Sequence, residues 1–400
     1  MKLAPFTTIR MTNKNKKIGI LTLQKVANYG GCLQAYALQR CLNNLGFYSE
    51  IIDIERPLKK NIKLRKKYGF LIQMIYMIYI SMRKFGTYIK NATSFKDIFL
   101  QKIKGKKLEF RQFEQDNLVF SNKVYSLKEI KNCQNNYSII IVGSDQVWNH
   151  EFSFVIEPYF LEFIDNGIRK ISYAASFGVN SIPNSYFERY ANWLKSFDFL
   201  SVREKSGADI IKQIANIDAS IVLDPTLLIE AKEWNNLINS AHKNEVKYIL
   251  CYTLSAENDL AIDIAKKIAV NKKYKIIKIG NSKEDINIPN IETRWHVGPL
   301  EFLTLIRDAE VIVTNSFHGT AFSLNFGKPF YCTLNKANTR IGRILDLLKL
   351  VGLEDRIIYS TSELSQEKID IAFGSVNMQK LNEERIKSIS FLKKALSKIN

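Results

Sequence analysis

Val311-Ile312-Val313-Thr314-Asn315-Ser316-Phe317-His318-Gly319-Thr320, followed by Ala321-Phe322-Ser323-Leu324, sets a β-branched run directly before a polar turn and a short helical pattern. Such a run reads as a buried strand of a parallel sheet. The corner between strand and helix directs backbone N–H groups and a positive dipole end at whatever lies above it, which suits an anion. His318 stands at that corner. A titratable ring there either transfers a proton to a bound anionic substrate or caps the helix.

Working outward, the same grammar recurs along the chain. Lys17 to Leu23 reads as a strand, Gln24 to Gly31 as a polar loop, Cys32 to Leu45 as an amphipathic helix that Gly46 stops, and Tyr48 to Ile54 as a second strand. That is a βαβ unit, so a parallel sheet begins at the N-terminus. The strand Tyr137 to Val142 runs into Gly143-Ser144-Asp145-Gln146-Val147-Trp148. Further strands end at Ser176, at Arg203-Glu204 and at Asp224-Pro225-Thr226. A looser stretch from Leu228 to Lys247 precedes a second alternating series, and Leu381 to Lys398 closes the chain as a basic amphipathic helix.

The expected architecture is α/β: two Rossmann-like domains facing across a cleft. Their expected limits are 17–235 and 236–375, with a C-terminal helix over 376–400 and a basic, apolar helical insertion over about 57–107. Polar clusters sit at the carboxyl ends of the strands, the edge where open parallel sheets bind ligands.

The formal net charge is +19 over 400 residues, which favours anionic partners. No helix-turn-helix, RRM or zinc-finger pattern accompanies it, so nucleic acid is not the expected partner. Five scattered cysteines without a CxxC pair argue for a reducing cytoplasm and against structural zinc, and no metal site is expected. The apolar run Phe70 to Ile80 is shorter than the ~20 residues that span a bilayer. Lys59, Lys60, Lys63, Arg65, Lys66 and Lys67 before it, and Lys102, Lys104, Lys106 and Lys107 after it, either touch an anionic membrane surface or form a solvated helix face.

Single residues admit two readings. Asp145 activates a hydroxyl or forms a turn, Trp148 stacks on a sugar or packs in the core, and Arg203 clamps an anion or pairs with an acid. Asp224-Pro225 reads as a structural turn, and His150, His242 and His296 as surface residues.

Taken in order, Asn28-Tyr29-Gly30-Gly31-Cys32-Leu33-Gln34-Ala35, Val142 to Trp148, Ser201 to Glu204, Asp224 to Thr226 and Thr314 to Thr320 resemble the polysaccharide pyruvyl transferase family, from about Lys17 to about Arg356. The resemblance implies a GT-B-like fold. It also implies transfer of a pyruvyl group from phosphoenolpyruvate, a co-substrate and not a cofactor, to a saccharide as a ketal, in cell-surface or exopolysaccharide biosynthesis. His318 matches the family's key histidine and Arg203 its phosphoenolpyruvate-binding arginine. The expected donor set is Arg203, Ser316, Phe317, His318, Gly319 and, as added positive charge, Arg340; the chemistry of the reaction makes His318 the expected acid or orienting group and Asp145 the candidate base. The acceptor side takes Asn28, Tyr29, Gly30, Gly31, Gln34 and Trp148.

Members of the family often carry an arginine two residues before the histidine, where this chain has Ser316. Either Arg340, Arg343 or Lys336 is expected to replace that charge, or the donor differs. The alternatives are a nucleotide-sugar glycosyltransferase of the same architecture and a non-catalytic protein that binds anionic glycans or a membrane surface. The expected location is the cytoplasm or the inner face of its membrane, where a lipid-linked acceptor would be met.

Overall fold

The computed structural model describes residues 17–55, 95–152, 156–165, 167–238, 246–254, 259–286, 288–335, 341–372 and 378–397. Arg340, Lys336, His242 and the run 57–94 of the expected insertion lie outside them.

The first half contains β1 (Lys17–Leu21), α1 (Tyr29–Asn44), β2 (Tyr48–Ile51), α2 (Phe95–Asn117), β3 (Ile139–Val142) and β4 (Arg169–Ser172). It continues through α3 (Phe187–Leu194), β5 (Ser201–Val202), α4 (Lys205–Ala215), β6 (Ser220–Ile221) and α5 (Ala231–Ile238). Its sheet has the order β2-β1-β3-β4 with every pair parallel. Isolated parallel bridges, Ile171 to Phe199 and Ala175 to Val202, carry it on into the β5–β6 pair.

The second half contains β7 (Tyr248–Tyr252), α6 (Asp259–Lys272), β8 (Lys275–Ile279), β9 (Glu292–Arg294), α7 (Pro299–Asp308), β10 (Val311–Thr314) and α8 (Phe317–Asn325). Then come β11 (Phe330–Thr333), α9 (Gly342–Val351), β12 (Ile357–Ile358), α10 (Gln366–Ala372) and α11 (Gln379–Leu396). Its parallel sheet has the order β12-β11-β10-β7-β8-β9. The architecture is α/β and GT-B-like: two parallel sheets, with their strand-end loops meeting at a cleft.

Each sheet reverses its strand order once, between β1 and β3 in the first and between β7 and β10 in the second. At such a switch the following connections leave in opposite directions and open a crevice beyond the strands' carboxyl ends. The interior of the opening motif is all buried, as a doubly covered parallel strand requires.

The halves are packed together as well as linked. One buried cluster includes Ile18, Leu38 and Ile141 from the first half and Phe302, Ile312 and Phe322 from the second. Tyr29 stacks on Phe302 with ring centroids 4.1 Å apart and donates its hydroxyl to the Val297 carbonyl at 2.8 Å. The anticipated boundary near 235 falls inside α5, whose Trp234 meets Tyr36 on one side and Phe322 on the other. Helix α11 returns to the first half: Arg385 donates to the Leu227 carbonyl, Ser388 accepts from Leu223, and Arg169 donates to the Ala395 carbonyl.

Two readings of local structure change. Helix α1 starts at Tyr29, so Gly30 and Gly31 belong to its first turn and not to the loop before it. Asn28 caps it, its Oδ1 accepting from the Gly31 amide at 3.2 Å. The short edge strands β9 and β12 were not legible in the sequence, because two or three residues carry too little periodicity to read.

Candidate active site

A cleft of about 230 Å³ is lined by Asn28, Asp145, Gln146, Tyr252, Leu254, Asn315, Ser316, Phe317, His318, Ile341, Arg343 and Ile344. The first nine of these end or follow β1, β3, β7 and β10, the four strands that flank the two switch points. The site is therefore the place where both sheets open towards each other.

Two helices start at this cleft. The Ser316 hydroxyl caps α8, accepting from the Gly319 amide at 3.3 Å, and Asn28 caps α1 in the same manner. Their remaining first-turn amides have no partner within the helix, so two positive dipole ends from different halves converge here. The helices touch at one point: a Cβ on Gly30 would lie 2.0 Å from His318 Nδ1. Only glycine allows that approach. Gly30 was expected on the acceptor side of the cleft, and the structure sets it directly against His318.

Behind the histidine lies a buried charge cluster. Asp224 Oδ2 is 3.6 Å from His318 Nε2 and accepts from Arg203 Nη1 at 2.8 Å and from the Ser144 hydroxyl at 3.0 Å. Its other oxygen accepts from the amide and hydroxyl of Thr226. Burial alone would raise the Asp224 carboxyl, but the neighbouring His318 ring and the hydrogen-bonded Arg203 guanidinium prevail and hold it well below the usual carboxylate range. Asp224-Pro225 does form the expected turn, at the head of a short 3-10 helix, and in addition it anchors the site. The sequence signal was present, a strand-end acid, but a local turn explained it equally well.

Arg203 is not an open anion clamp. Its side chain is 1% exposed and faces three carboxylates: Asp224, Asp145 at 3.4 Å and Glu204 at 3.5 Å. Its guanidinium also lies over the Phe317 ring, 4.4 Å from the centroid. With its N–H edges turned to acids and its face to an aromatic ring, it organises the site from behind. Among the described residues lining the cleft, Arg343 is the cation, set 6.0 Å from the same Phe317 ring.

The remaining expected residues divide cleanly. Ser316, Phe317, His318, Asp145 and Asn28 line the cleft, while Gly319 and Gly31 sit in the first turns that shape it. Asp145 Oδ2 points back towards Gly31, 3.9 Å from where a Cβ would be. Three acceptor-side assignments are corrected. Trp148 is fully buried, stacked on Phe160 at 5.2 Å, with its ring N–H bonded to the Tyr159 carbonyl. Gln34 is a buried brace that donates to Thr22 and accepts from the Ser144 amide. Tyr29 is spent on the interdomain stack. In each case a polar handle on a buried side chain is satisfied by backbone or side-chain partners inside the protein.

A family model described as polysaccharide pyruvyl transferase matches residues 28–336. The chain belongs to the polysaccharide pyruvyl transferase family. The matched span runs from the cap of α1 to just beyond β11 and so takes in the carboxyl ends of β3, β7 and β10 and all the cleft residues up to Phe317 and His318. No curated protein matches the sequence. Among solved structures, the chain is similar to the UDP-GlcNAc 2-epimerase of Neisseria meningitidis bound to UDP-GlcNAc, at 9% identity and TM-score 0.48, covering 95% of this chain and 100% of that one. It is similar also to the UDP-GlcNAc 2-epimerase of Methanocaldococcus jannaschii, at 14% identity and TM-score 0.48, covering 94% and 99%. A third is the ADP-heptose LPS heptosyltransferase II of E. coli, at 10% identity and TM-score 0.37, covering 93% and 99%. The fold assignment stands on the sheet topology and not on these distant superpositions.

Among the described residues, no helix is long and apolar enough to cross a membrane.

Proposed function

We propose that this protein transfers the pyruvyl group of phosphoenolpyruvate to a saccharide as a ketal, with His318 as the proton-transfer group. The observation that carries this reading is the placement of His318, at the start of α8, against the start of α1 and beside the buried Asp224.

The chemistry runs as follows. The methylene carbon of the donor takes a proton and becomes a methyl group, and a sugar hydroxyl oxygen bonds to the adjacent carbon. The bond from that carbon to the phosphate oxygen breaks, inorganic phosphate leaves, and a second hydroxyl closes the ketal and gives up its proton. Nε2 of His318 faces Asp224 at 3.6 Å, which leaves Nδ1, on the Gly30 side, to meet the substrate. Positioning by a buried carboxylate fixes the ring's orientation for the proton transfer. The donor's phosphate and carboxylate would rest on the first-turn amides of α1 and α8, with Arg343 as the side-chain cation. Arg343 thus takes the part expected of an arginine at position 316, where Ser316 serves instead as the helix cap. Asp145, also at the cleft, is the candidate base for the attacking hydroxyl.

A nucleotide-sugar glycosyltransferase is the second reading, because a larger cavity of about 610 Å³ adjoins the cleft through the shared residues Asn315 and Ile341. Its described lining includes Asp259 and Glu363 and no cation, which disfavours a diphosphate. Phosphate release from phosphoenolpyruvate in the presence of an oligosaccharide panel decides between them. Release that requires both an acceptor and His318 supports pyruvyl transfer, whereas thermal stabilisation by sugar nucleotides without phosphate release refutes it.

A further inference from the structure

A second pocket, about 310 Å³ in volume, lies next to the active cleft and is lined by Val26, Ala27, Lys106, Lys107, Gly280, Asn281 and Trp295. Val26 and Ala27 directly precede Asn28, which lines the cleft itself. The Tyr29 ring stands between the two: Lys106 Nζ lies 4.6 Å above its centroid, and Tyr252 of the cleft meets it edge-on at 5.6 Å. The pocket and the cleft are therefore neighbours along one crevice.

The pocket has the composition expected for a charged sugar. Trp295 lies against the backbone of Gly280, where a Cβ would come within 2.6 Å of the indole. A flat aromatic beside polar groups is a common platform for a sugar ring. The Lys106 ammonium donates to Asn281 Oδ1 at 2.9 Å, and among the described residues no carboxylate comes within ion-pair distance of it. The nearest acid in charge, Asp285, is already committed to Lys278 at 3.2 Å and to the amides of Asn281 and Ser282. Burial accordingly draws the Lys106 amine down to about 8, with Asp285 opposing only in part. A partly desolvated cation with a neutral partner gains from an incoming anion. Lys107 adds a second, exposed positive charge at the rim. Both lie on the segment expected to meet a membrane or solvent; Lys106 is half-buried against the crevice, and Lys107 is exposed beside it.

We propose that this pocket is a subsite for an oxyanion carried by the saccharide acceptor, a sugar phosphate or a uronate carboxylate, with Lys106 and Lys107 pairing with the anion and Trp295 packing on the sugar ring. Naming the ligand an acceptor rests on the pyruvyl-transfer reading; the anion site itself does not.

The test is calorimetric titration of the full chain with glucose 1-phosphate, glucuronic acid and methyl glucoside, for wild type, Lys106→Gln, Lys107→Gln and Trp295→Leu. Each variant is checked for a cooperative thermal transition. The expected result is at least about tenfold tighter binding of one charged sugar than of the neutral one, with that preference lost in both lysine variants and all sugar binding weakened in Trp295→Leu. Which charged sugar wins identifies phosphate or carboxylate as the anion. Equal binding of charged and neutral sugars by wild type, absence of binding by all three, or a preference that survives both lysine substitutions overturns the proposal. Lys107 is exposed, so its variant keeps the test valid if Lys106→Gln fails to fold. Lysine-dependent binding without phosphate release from phosphoenolpyruvate would refute the proposed function and leave the subsite standing.

Discussion

The two cationic centres along the crevice are built in opposite ways. Arg203 is enclosed by Asp145, Glu204 and Asp224 and stacked on Phe317, whereas Lys106 has an amide oxygen and the Tyr29 ring for company. A buried cation matched by several acids is internally satisfied and holds its surroundings in place. An undermatched one retains attraction for a ligand. The residue that sequence resemblance marked for the donor is the matched one, so at this cleft the type of residue is a weaker guide than its complement of counter-charges.

This contrast can be broken by measurement. The largest effect is expected at the histidine that the matched cluster supports: His318→Ala should lower kcat by roughly 10²–10⁴-fold, with the unfolding midpoint little changed, in a phosphate-release assay. Next comes the cluster itself. Asp224→Ala leaves Arg203 short of its closest counter-charge and should cost about 3–5 kcal/mol in urea unfolding. A cost below about 1 kcal/mol would show that the cluster is not the structural hub described here.

The same carboxylate predicts a pH effect. The folded Asp224 carboxyl lies below its unfolded value, so its contribution is complete above the unfolded pKa of about 4 and is lost as the pH falls through the folded value. The stability difference between wild type and Asp224→Asn should thus stay level above about pH 5 and shrink on further acidification. A difference that grows towards low pH would reverse the assignment.

Gly30→Ala is a smaller perturbation with a selective readout. A methyl group there must displace the His318 ring, while the helix itself gains up to about 1 kcal/mol in propensity. Activity should fall about tenfold or more with a net stability change within about 2 kcal/mol. The smallest effect belongs to the undermatched cation: Lys106→Gln should alter stability in the absence of ligand by less than about 1 kcal/mol. A loss comparable to that of Asp224→Ala would erase the distinction between the two centres.

Much of the site was legible because parallel sheets bind ligands at one edge. Asn28, Asp145 and the run Asn315 to His318 could be placed at strand ends from β-branched runs followed by polar turns, and they do meet in one cleft. What failed to be legible was the direction each side chain takes. Trp148 follows the same strand as Asp145, three positions on, yet it lies in the core against Phe160, because three residues of turn rotate it away from the crevice. Trp295 stands in a stretch with no strand-end signature of comparable strength, and it is the tryptophan that reaches the crevice.

The sequence by itself determined the alternation of strands and helices, the parallel sheets that follow from it and the edge at which chemistry must occur. Hydrophobic periodicity and strand-end polarity are local and survive without knowledge of packing. Tertiary structure alone decided that Gly30 touches His318, that Asp224 joins His318 to Arg203, and that Lys106 faces the crevice. Those are contacts between residues tens to hundreds of positions apart, and their energetics depend on burial and on counter-charges that only the folded chain assembles.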